Sequence, residues 1–296
     1  MSDAFHYKIY SPGDAVHVRD LFLRVFRKKV SVEYIQNKYH TFYCPLSPVA
    51  TIAFLENEPV AFYGALPVRI NNGSETFFAA HACDSITLKQ HRGKGLHYNL
   101  ALLSYEEMKK QGIKFVFAMH SENTLKATGK LNWQKGEHLS RFHIKTGNLF
   151  SSLFIRRQKE KEEPELRNTF RNPLHHSGMY INYDAEYLRY KSFSGSRFIK
   201  LENSITWIRG HRDLWTGSIN GISNENSEKV LEEIKHFASV HGYREVIFQV
   251  SKNTELHNLL SRHLTPEESF PLGYLSFDKA INPAELKLNF SDLDTF

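Results

Sequence analysis

The chain has 296 residues, of which 41% are hydrophobic and 24% charged, and its formal net charge is +6. That length suits two modest domains, each able to bury its own core, and the composition excludes a disordered, fibrous or collagen-like chain. No run approaches the roughly 18 to 20 apolar residues of a membrane span. Met1 to Arg19 carries Asp3, Lys8, Asp14 and Arg19 where a signal peptide is apolar, so a cytoplasmic location is expected.

Cys44 and Cys83 are the only cysteines, too few for a disulfide framework or a thiolate zinc site, and both are expected to be buried thiols. The 16 histidines contain no HExxH or similarly spaced pair, so no metal is expected. The positive charge suits nucleic acid, an anionic surface or a phosphate-bearing ligand. Without zinc-finger spacing or an aromatic-interleaved basic motif, a nucleic-acid partner is not expected.

In chain order, Ser11-Pro12-Gly13-Asp14 offers cap chemistry ahead of an apolar stripe at Val18, Leu21, Phe22, Val25 and Phe26, predicting a first helix within Asp14 to Tyr39. Val49 to Leu55 and Val60 to Leu66 read as a hairpin about the turn Glu56-Asn57-Glu58-Pro59. Val68 to Ile70, the turn Asn71-Asn72-Gly73 and a long strand from Thr76 to Leu88 follow. A helix is predicted from Gly95 to Lys110, stopped by Gly112, and then a strand from Lys114 to His120.

The mixed-charge run Arg156 to Pro164 reads as a linker or a solvated helix face, which places domains at 1–150 and 177–296 with a connection over 151–176. Beyond it, a helix near Asp184 to Tyr190, strands at Arg197 to Leu201, Ile205 to Arg209 and Leu214 to Ile219, and a helix from Ser227 to Val240 compose a second α/β unit. An internal repeat supports the division. Gln111-Gly112-Ile113-Lys114-Phe115-Val116-Phe117 aligns with His241-Gly242-Tyr243-Arg244-Glu245-Val246-Ile247, and the same offset sets Ser121, Asn123 and Thr124 on Ser251, Asn253 and Thr254. Carried back, Gln90 to Gly95 falls on Asn220 to Glu225, which lacks the glycines and adds an acid, so only the first half is expected to hold a pyrophosphate.

The chemistry begins at Gln90-His91-Arg92-Gly93-Lys94-Gly95. A diphosphate needs several donors at close range. Backbone N–H groups at a helix start supply them when no side chain blocks the approach, and Gly93 and Gly95 give that access. Arg92 and Lys94 add charge, and the helix dipole adds to it. A nucleotide P-loop fails because no Lys-Ser or Lys-Thr follows, and a dinucleotide fold fails because Tyr98 stands where a third small residue belongs. A turn that merely uses glycine between strand and helix is the other reading.

Gln90-x-x-Gly93-x-Gly95 after a strand and opening a helix resembles the Q/R-x-x-G-x-G/A signature of the GNAT superfamily, and the order of elements from Asp14 to Trp133 is similar to that fold. The resemblance implies a mixed α/β (α+β) GNAT-like first domain that takes acetyl-CoA as acyl donor. Its pantetheine arm would lie between strands ending near Leu88 and His120, and the loop would bind the pyrophosphate. On that basis Ile86, Leu88, Gln90, Arg92, Gly93, Lys94, Gly95, Leu96 and Asn123 are the expected cofactor contacts, with a plain helix cap as the alternative for Asn123. Ser121-Glu122-Asn123-Thr124 and Lys130-Leu131-Asn132-Trp133 are similar to the family's Asn-led helix and its closing corner. The tyrosine that many relatives carry there as an acid falls near Thr128, so that role is unassigned. The second half resembles, more loosely, the degenerate second unit of tandem members, some of which serve surface-polysaccharide assembly.

Acyl transfer to an amine needs a base and donors for the developing oxyanion. Asp84, alone among Ala82, Cys83 and Ile86, is the first candidate base, since burial tunes carboxylates toward that chemistry; a structural acceptor at the strand end is the competing role. His81 and His120 are the reserves, and strand alternation turns His81 away from Asp84. By the resemblance, the oxyanion donor is a backbone N–H within Ser85 to Leu88. The expected activity is N-acyl transfer to a small primary amine, such as an amino sugar, by a monomer or homodimer. The alternatives are a non-catalytic CoA-binding module that docks a protein, and acylation of a protein or peptide amine.

Overall fold

The structure, a computed structural model, describes residues 5–147, 164–175 and 177–296. Its elements in chain order are β1 (Phe5–Ile9), α1 (Ala15–Phe26), α2 (Val32–Lys38), β2 (Val49–Leu55), β3 (Glu58–Asn71) and β4 (Thr76–Thr87). Then come α3 (Leu96–Lys110), β5 (Phe115–Met119), α4 (Glu122–Thr128), β6 (Gln134–Lys145), α5 (Pro164–Thr169) and β7 (Tyr180–Ile181). The chain ends with α6 (Ala185–Lys191), β8 (Arg197–Lys200), β9 (Ile205–Gly210), β10 (Leu214–Asn220), α7 (Ser227–Val240), β11 (Glu245–Val250), α8 (Glu255–Ser261) and β12 (Glu267–Ser276). Most of the expected linker, 151–163 and residue 176, lies outside the described residues.

Packing divides the chain into two units. The first is Met1–Arg69, Phe77–Gly136 and Leu272–Ala284; the second is Ile70–Thr76, Glu137–Pro271 and Glu285–Phe296. In the first, strands run in the order β1-β2-β3-β4-β5, and Leu272 to Ser276 of β12 lie antiparallel to β5. The single helix expected over Asp14 to Tyr39 is two, because Arg27 takes a left-handed conformation (φ 56°) that ends α1. Helix α2 restarts at Ser31, whose side chain accepts the Tyr34 N–H at 2.9 Å. The β2–β3 turn is tighter than expected, with Glu56 at φ 55°. Helix α3 is tied to β2 by the fully buried Thr51 hydroxyl, which donates to Leu100 O at 3.1 Å.

The second unit orders its strands β6-β11-β10-β9-β8. Val230, Leu231, Ile234 and Ala238 of α7 form one buried stripe against Val246, Phe248 and Val250 of β11. Each unit thus contains a strand, a helix and a parallel strand (β4-α3-β5 and β10-α7-β11), and each helix is closed by a left-handed glycine, Gly112 at φ 76° and Gly242 at φ 77°. The repeat holds to that point and then slips by three residues. Ser121 caps α4, whereas Thr254 caps α8 after Asn253 turns to φ 60°. Each sheet is completed by a strand from the other half of the sequence, β12 in the first unit and residues of β6 in the second.

The C-terminal Asn289 to Asp292 closes the second unit as a buried polar knot. Tyr183 donates its hydroxyl to Asp292 Oδ1 at 2.6 Å, and the Asn289 N–H donates to Oδ2 at 2.6 Å. Burial pushes the Asp292 carboxyl up to about 6 even against these hydrogen bonds. A carboxyl raised in the folded state contributes stability that is full below its ordinary value of 3.8 and is lost as pH rises through about 6. Asp292→Asn keeps an acceptor for Tyr183 and removes that dependence. Urea unfolding at about pH 3 and about pH 7 should show the difference between the two proteins move by on the order of 3 kcal/mol in the variant's favour at the higher pH.

Candidate active site

The parallel ladder between β4 and β5 is short: Ala80 pairs with Val116 and His81 with Phe117. Beyond it β4 continues to Thr87 and β5 ends at Met119. A cavity of about 220 Å³ lies where they part. Ala82 to Ser85 line it from β4, Ala118 to His120 from β5, Tyr63 and Gly64 from β3, and His97, Thr128 and Trp133 from the helical side, with Phe26 also on the wall.

Asp84 is buried in this wall and compensated. Its Oδ2 lies 2.7 Å from the Lys38 ammonium and accepts the Tyr39 hydroxyl at 2.7 Å. Lys38 is itself only 2% exposed. Ile35, Lys38 and Tyr39 sit three and four residues apart and so share the inward face of α2 and its end. Burial, then the Asp84 charge, pushes Tyr39 well above its ordinary value, so it stays a donor. Gly64 is required here by close approach, because a Cβ would overlap the Tyr39 hydroxyl. The buried carboxylate expected at Asp84 is one half of an ion pair.

His120 also reaches the cavity. It is 1% exposed, and neither ring nitrogen has a partner among the described residues. Burial first and His97 second push it down to about 4, so the ring is neutral at neutral pH. It is held against Trp133 at 4.9 Å between ring centroids, and Gly273 leaves it room, since a Cβ there would overlap the imidazole. His81 is on the other face, stacked on its ladder neighbour Phe117 at 4.8 Å and buried, and does not line the cavity. Cys83 lines the cavity; both cysteines are partly exposed rather than buried and neither forms a disulfide.

Sequence reasoning missed Lys38, Tyr39, Tyr63, His97 and Trp133 as parts of this site. The i, i+3, i+4 spacing of Ile35, Lys38 and Tyr39 was the available signal for the first two. His97 lies two residues beyond Gly95, in the first turn of the helix the loop opens. Its Nδ1 is 2.7 Å from Ser85 Oγ, Nε2 is unpartnered, and burial lowers its pKa. The tyrosine site near Thr128 holds a hydroxyl that donates back to Thr124 O at 2.9 Å.

The loop follows β4. Gly93 and Gly95 adopt φ 80° and 78°, and a Cβ at either would meet no protein atom, so the space above them is open to a ligand. The first helical bond of α3 runs from the Asn99 N–H to Gly95 O, and the N–H groups of Leu96, His97 and Tyr98 precede it. Gln90 and Arg92 are exposed, Arg92 Nε donates to Thr87 O at 3.3 Å, and the Lys94 ammonium lies 5.6 Å from the Phe5 ring centroid. Ile86, Leu88 and Leu96 point their side chains into the core, and the Leu88 N–H is taken by Val60 O at 3.0 Å. Any contact these three make with a ligand would be through other backbone groups. Asn123 is in the first turn of α4; its side chain lies outside the described residues.

The aligned loop of the second unit is closed on itself. The Ser223 N–H donates to Asn226 Oδ1 at 2.7 Å, Asn226 Nδ2 donates to Gly221 O at 2.8 Å, and Ser223 Oγ donates to the Glu225 carboxylate at 2.8 Å. Side chains of the loop thus bond within it, and an acid stands among them.

A left-handed glycine loop at a helix start, beside two parallel strands that part over a cavity, is an arrangement suited to an anion next to a small-molecule pocket. Residues 6–135 match the acetyltransferase (GNAT) domain family. Solved structures share the fold over nearly the whole chain. A GCN5-related N-acetyltransferase from Kribbella flavida superposes with a TM-score of 0.65 at 14% identity, covering 96% of this chain and 73% of that one. A tandem GNAT protein from the clavulanic acid biosynthesis pathway does so with a TM-score of 0.60 at 8% identity, covering 92% and 98%. A GCN5-related glucosamine N-acetyltransferase region of a fungal GH3 β-N-acetylglucosaminidase gives 0.57 at 13% identity, covering 93% and 38%. No curated protein sequence matches the chain. The fold is thus shared with GNAT structures that include a tandem protein, and among the described residues no helix is long and apolar enough to cross a membrane.

Removing one partner of a buried ion pair strands the other charge. Lys38→Met should destabilise the protein by about 3–5 kcal/mol, and adding Asp84→Asn should recover most of the loss. A double-mutant cycle by urea unfolding checks the coupling.

Proposed function

We propose that the protein is an acyl-CoA-dependent N-acetyltransferase that moves an acetyl group to a small primary amine, with an amino sugar as the favoured acceptor class. The observation that carries this reading is the cavity at the parting of β4 and β5, next to a loop whose open glycines and helix N–H groups suit a diphosphate. Gln90, Arg92, Gly93, Lys94 and Gly95 would hold the pyrophosphate, and acetyl-CoA supplies the thioester carbonyl. Holding two reactants in one small cavity contributes on the order of 7 kcal/mol or more through effective molarity. The amino-sugar preference is supported by the surplus positive charge, which suits a phosphate-bearing carrier, and by the glucosamine N-acetyltransferase region that shares this fold.

His120 accepts the proton that the amine nitrogen loses when it attacks, because its ring is neutral, faces the cavity and has unused nitrogens. Asp84, with its charge met by Lys38 and Tyr39, orients the incoming nitrogen. Backbone N–H groups between Ser85 and Thr87 are the candidates for the carbonyl oxygen, Leu88 being committed to Val60. A pair of neutral imidazoles in the pocket favours catalysis over a purely binding module.

Calorimetric titration with acetyl-CoA should give saturable binding that weakens by at least about 100-fold in a Gly93→Glu, Gly95→Glu variant, where two carboxylates and two Cβ atoms enter the cradle at positive φ. Thermal unfolding confirms that the variant is folded. With glucosamine as acceptor, His120→Gln should lower kcat by roughly 10²-fold while leaving acetyl-CoA affinity near wild type. Absence of acetyl-CoA binding to the wild type would sink the reading.

A further inference from the structure

A proton accepted by His120 has to leave a ring that is 1% exposed. The cavity wall contains a second imidazole, His97, whose two nitrogens face different surroundings. Nε2 is buried without a partner, as are both His120 nitrogens, and Nδ1 is 2.7 Å from Ser85 Oγ. Buried nitrogens in this state are served by whatever fills the cavity, water or substrate, so both rings share one set of mobile partners. Ser85 is exposed and can both accept and donate a proton. Burial therefore falls from His120 through His97 to Ser85.

We propose that His97 and Ser85 form the proton exit of the cavity, relaying to solvent the proton that His120 takes from the acceptor amine. This rests on the acetyl-transfer reading above. The N–C bond to the acyl carbon forms and the C–S bond breaks. The amine proton passes to His120, then through a cavity water to His97 Nε2, while the Nδ1 proton of His97 moves to Ser85 Oγ and the Ser85 hydroxyl proton leaves to bulk water. The departing CoA sulfur takes a proton from solvent, so charge and protons balance.

The groups that surround the two rings are Cys83 and Asp84 of β4, the Lys38 and Tyr39 that hold Asp84, Tyr63 of β3 and Tyr105 of α3. The three tyrosines are all pushed above their ordinary range by burial and remain protonated.

The test uses the full-length protein with acetyl-CoA and glucosamine between about pH 5 and about pH 9, comparing wild type with His97→Gln and Ser85→Ala. The relay predicts a fall in kcat of about 10-fold to 100-fold for His97→Gln with acetyl-CoA affinity within about twofold of wild type, a smaller fall for Ser85→Ala, and partial recovery of His97→Gln by added imidazole. It also predicts that the His120 ring, followed by NMR, titrates at higher pH once His97 is replaced. Wild-type turnover with an unchanged kcat and pH profile in His97→Gln, or a loss that imidazole does not relieve, overturns the relay alone. A wild type that binds acetyl-CoA but acetylates no amine overturns the acetyl-transfer reading, and the relay falls with it.

Discussion

The site depends on how little of β4 and β5 is paired. A parallel ladder that stops at His81 and Phe117 leaves the ends of both strands without each other's hydrogen bonds, and unpaired backbone groups at the floor of a domain need some other partner. The chain provides a cavity there instead of more sheet. Its walls come from whatever the two diverging strands carry: Cys83, Asp84 and Ser85 on one side, Met119 and His120 on the other. The glycine loop follows from the same geometry, since the strand that leaves the ladder runs directly into it and the helix it opens points its first N–H groups outward.

A cavity with a carboxylate in its wall is costly unless the charge is answered. Here the answer comes from α2, and its position explains why the first helix is broken. The left-handed turn at Arg27 ends α1, Ser31 starts a new helix, and Lys38 and Tyr39 arrive at Asp84 from the inward face of its last turn. Gly64 and Gly273 serve the same end on the neighbouring strands, each leaving space for one ring, Tyr39 in one case and His120 in the other. Three separate local choices converge on two buried side chains.

Much of this was legible in the sequence. The first hairpin strand, the long strand, the loop, α3 and β5 carry strong local signals, namely short apolar runs, Asn-Gly turn chemistry and a glycine stop, and they occur within a residue or two of where those signals put them, whereas Val60 to Leu66 and Val68 to Ile70 join in the single strand β3. The loop was legible because its glycines, at φ 80° and 78°, stand out between a strand and a helix. What was not legible depends on long-range contact. The break at Arg27 has no glycine or proline to mark it. Nothing local distinguishes Lys38 from a surface lysine except its spacing from Ile35, and the compensation of Asp84 needs a partner 46 positions away in the chain. His97 was overlooked because it follows a motif that already accounted for its surroundings. The separation of His81 from Asp84 did follow from strand alternation.

The second unit shows which part of the fold can be copied without its chemistry. Strand, helix, left-handed glycine and parallel strand recur with nearly identical backbone angles at Gly112 and Gly242, because these features bury an apolar stripe and end a helix wherever they occur. The loop before the helix has no such structural obligation beyond changing direction. In the first unit Gly93 and Gly95 leave the surface ahead of α3 uncovered; in the second, Ser223, Glu225 and Asn226 bond to one another and to Gly221 O within the loop. Closing a turn with its own side chains stabilises it locally and forfeits anion binding, and leaving it open does the reverse. The two halves of one repeat differ in this way, with open glycines in the first loop and side chains bonded across the second.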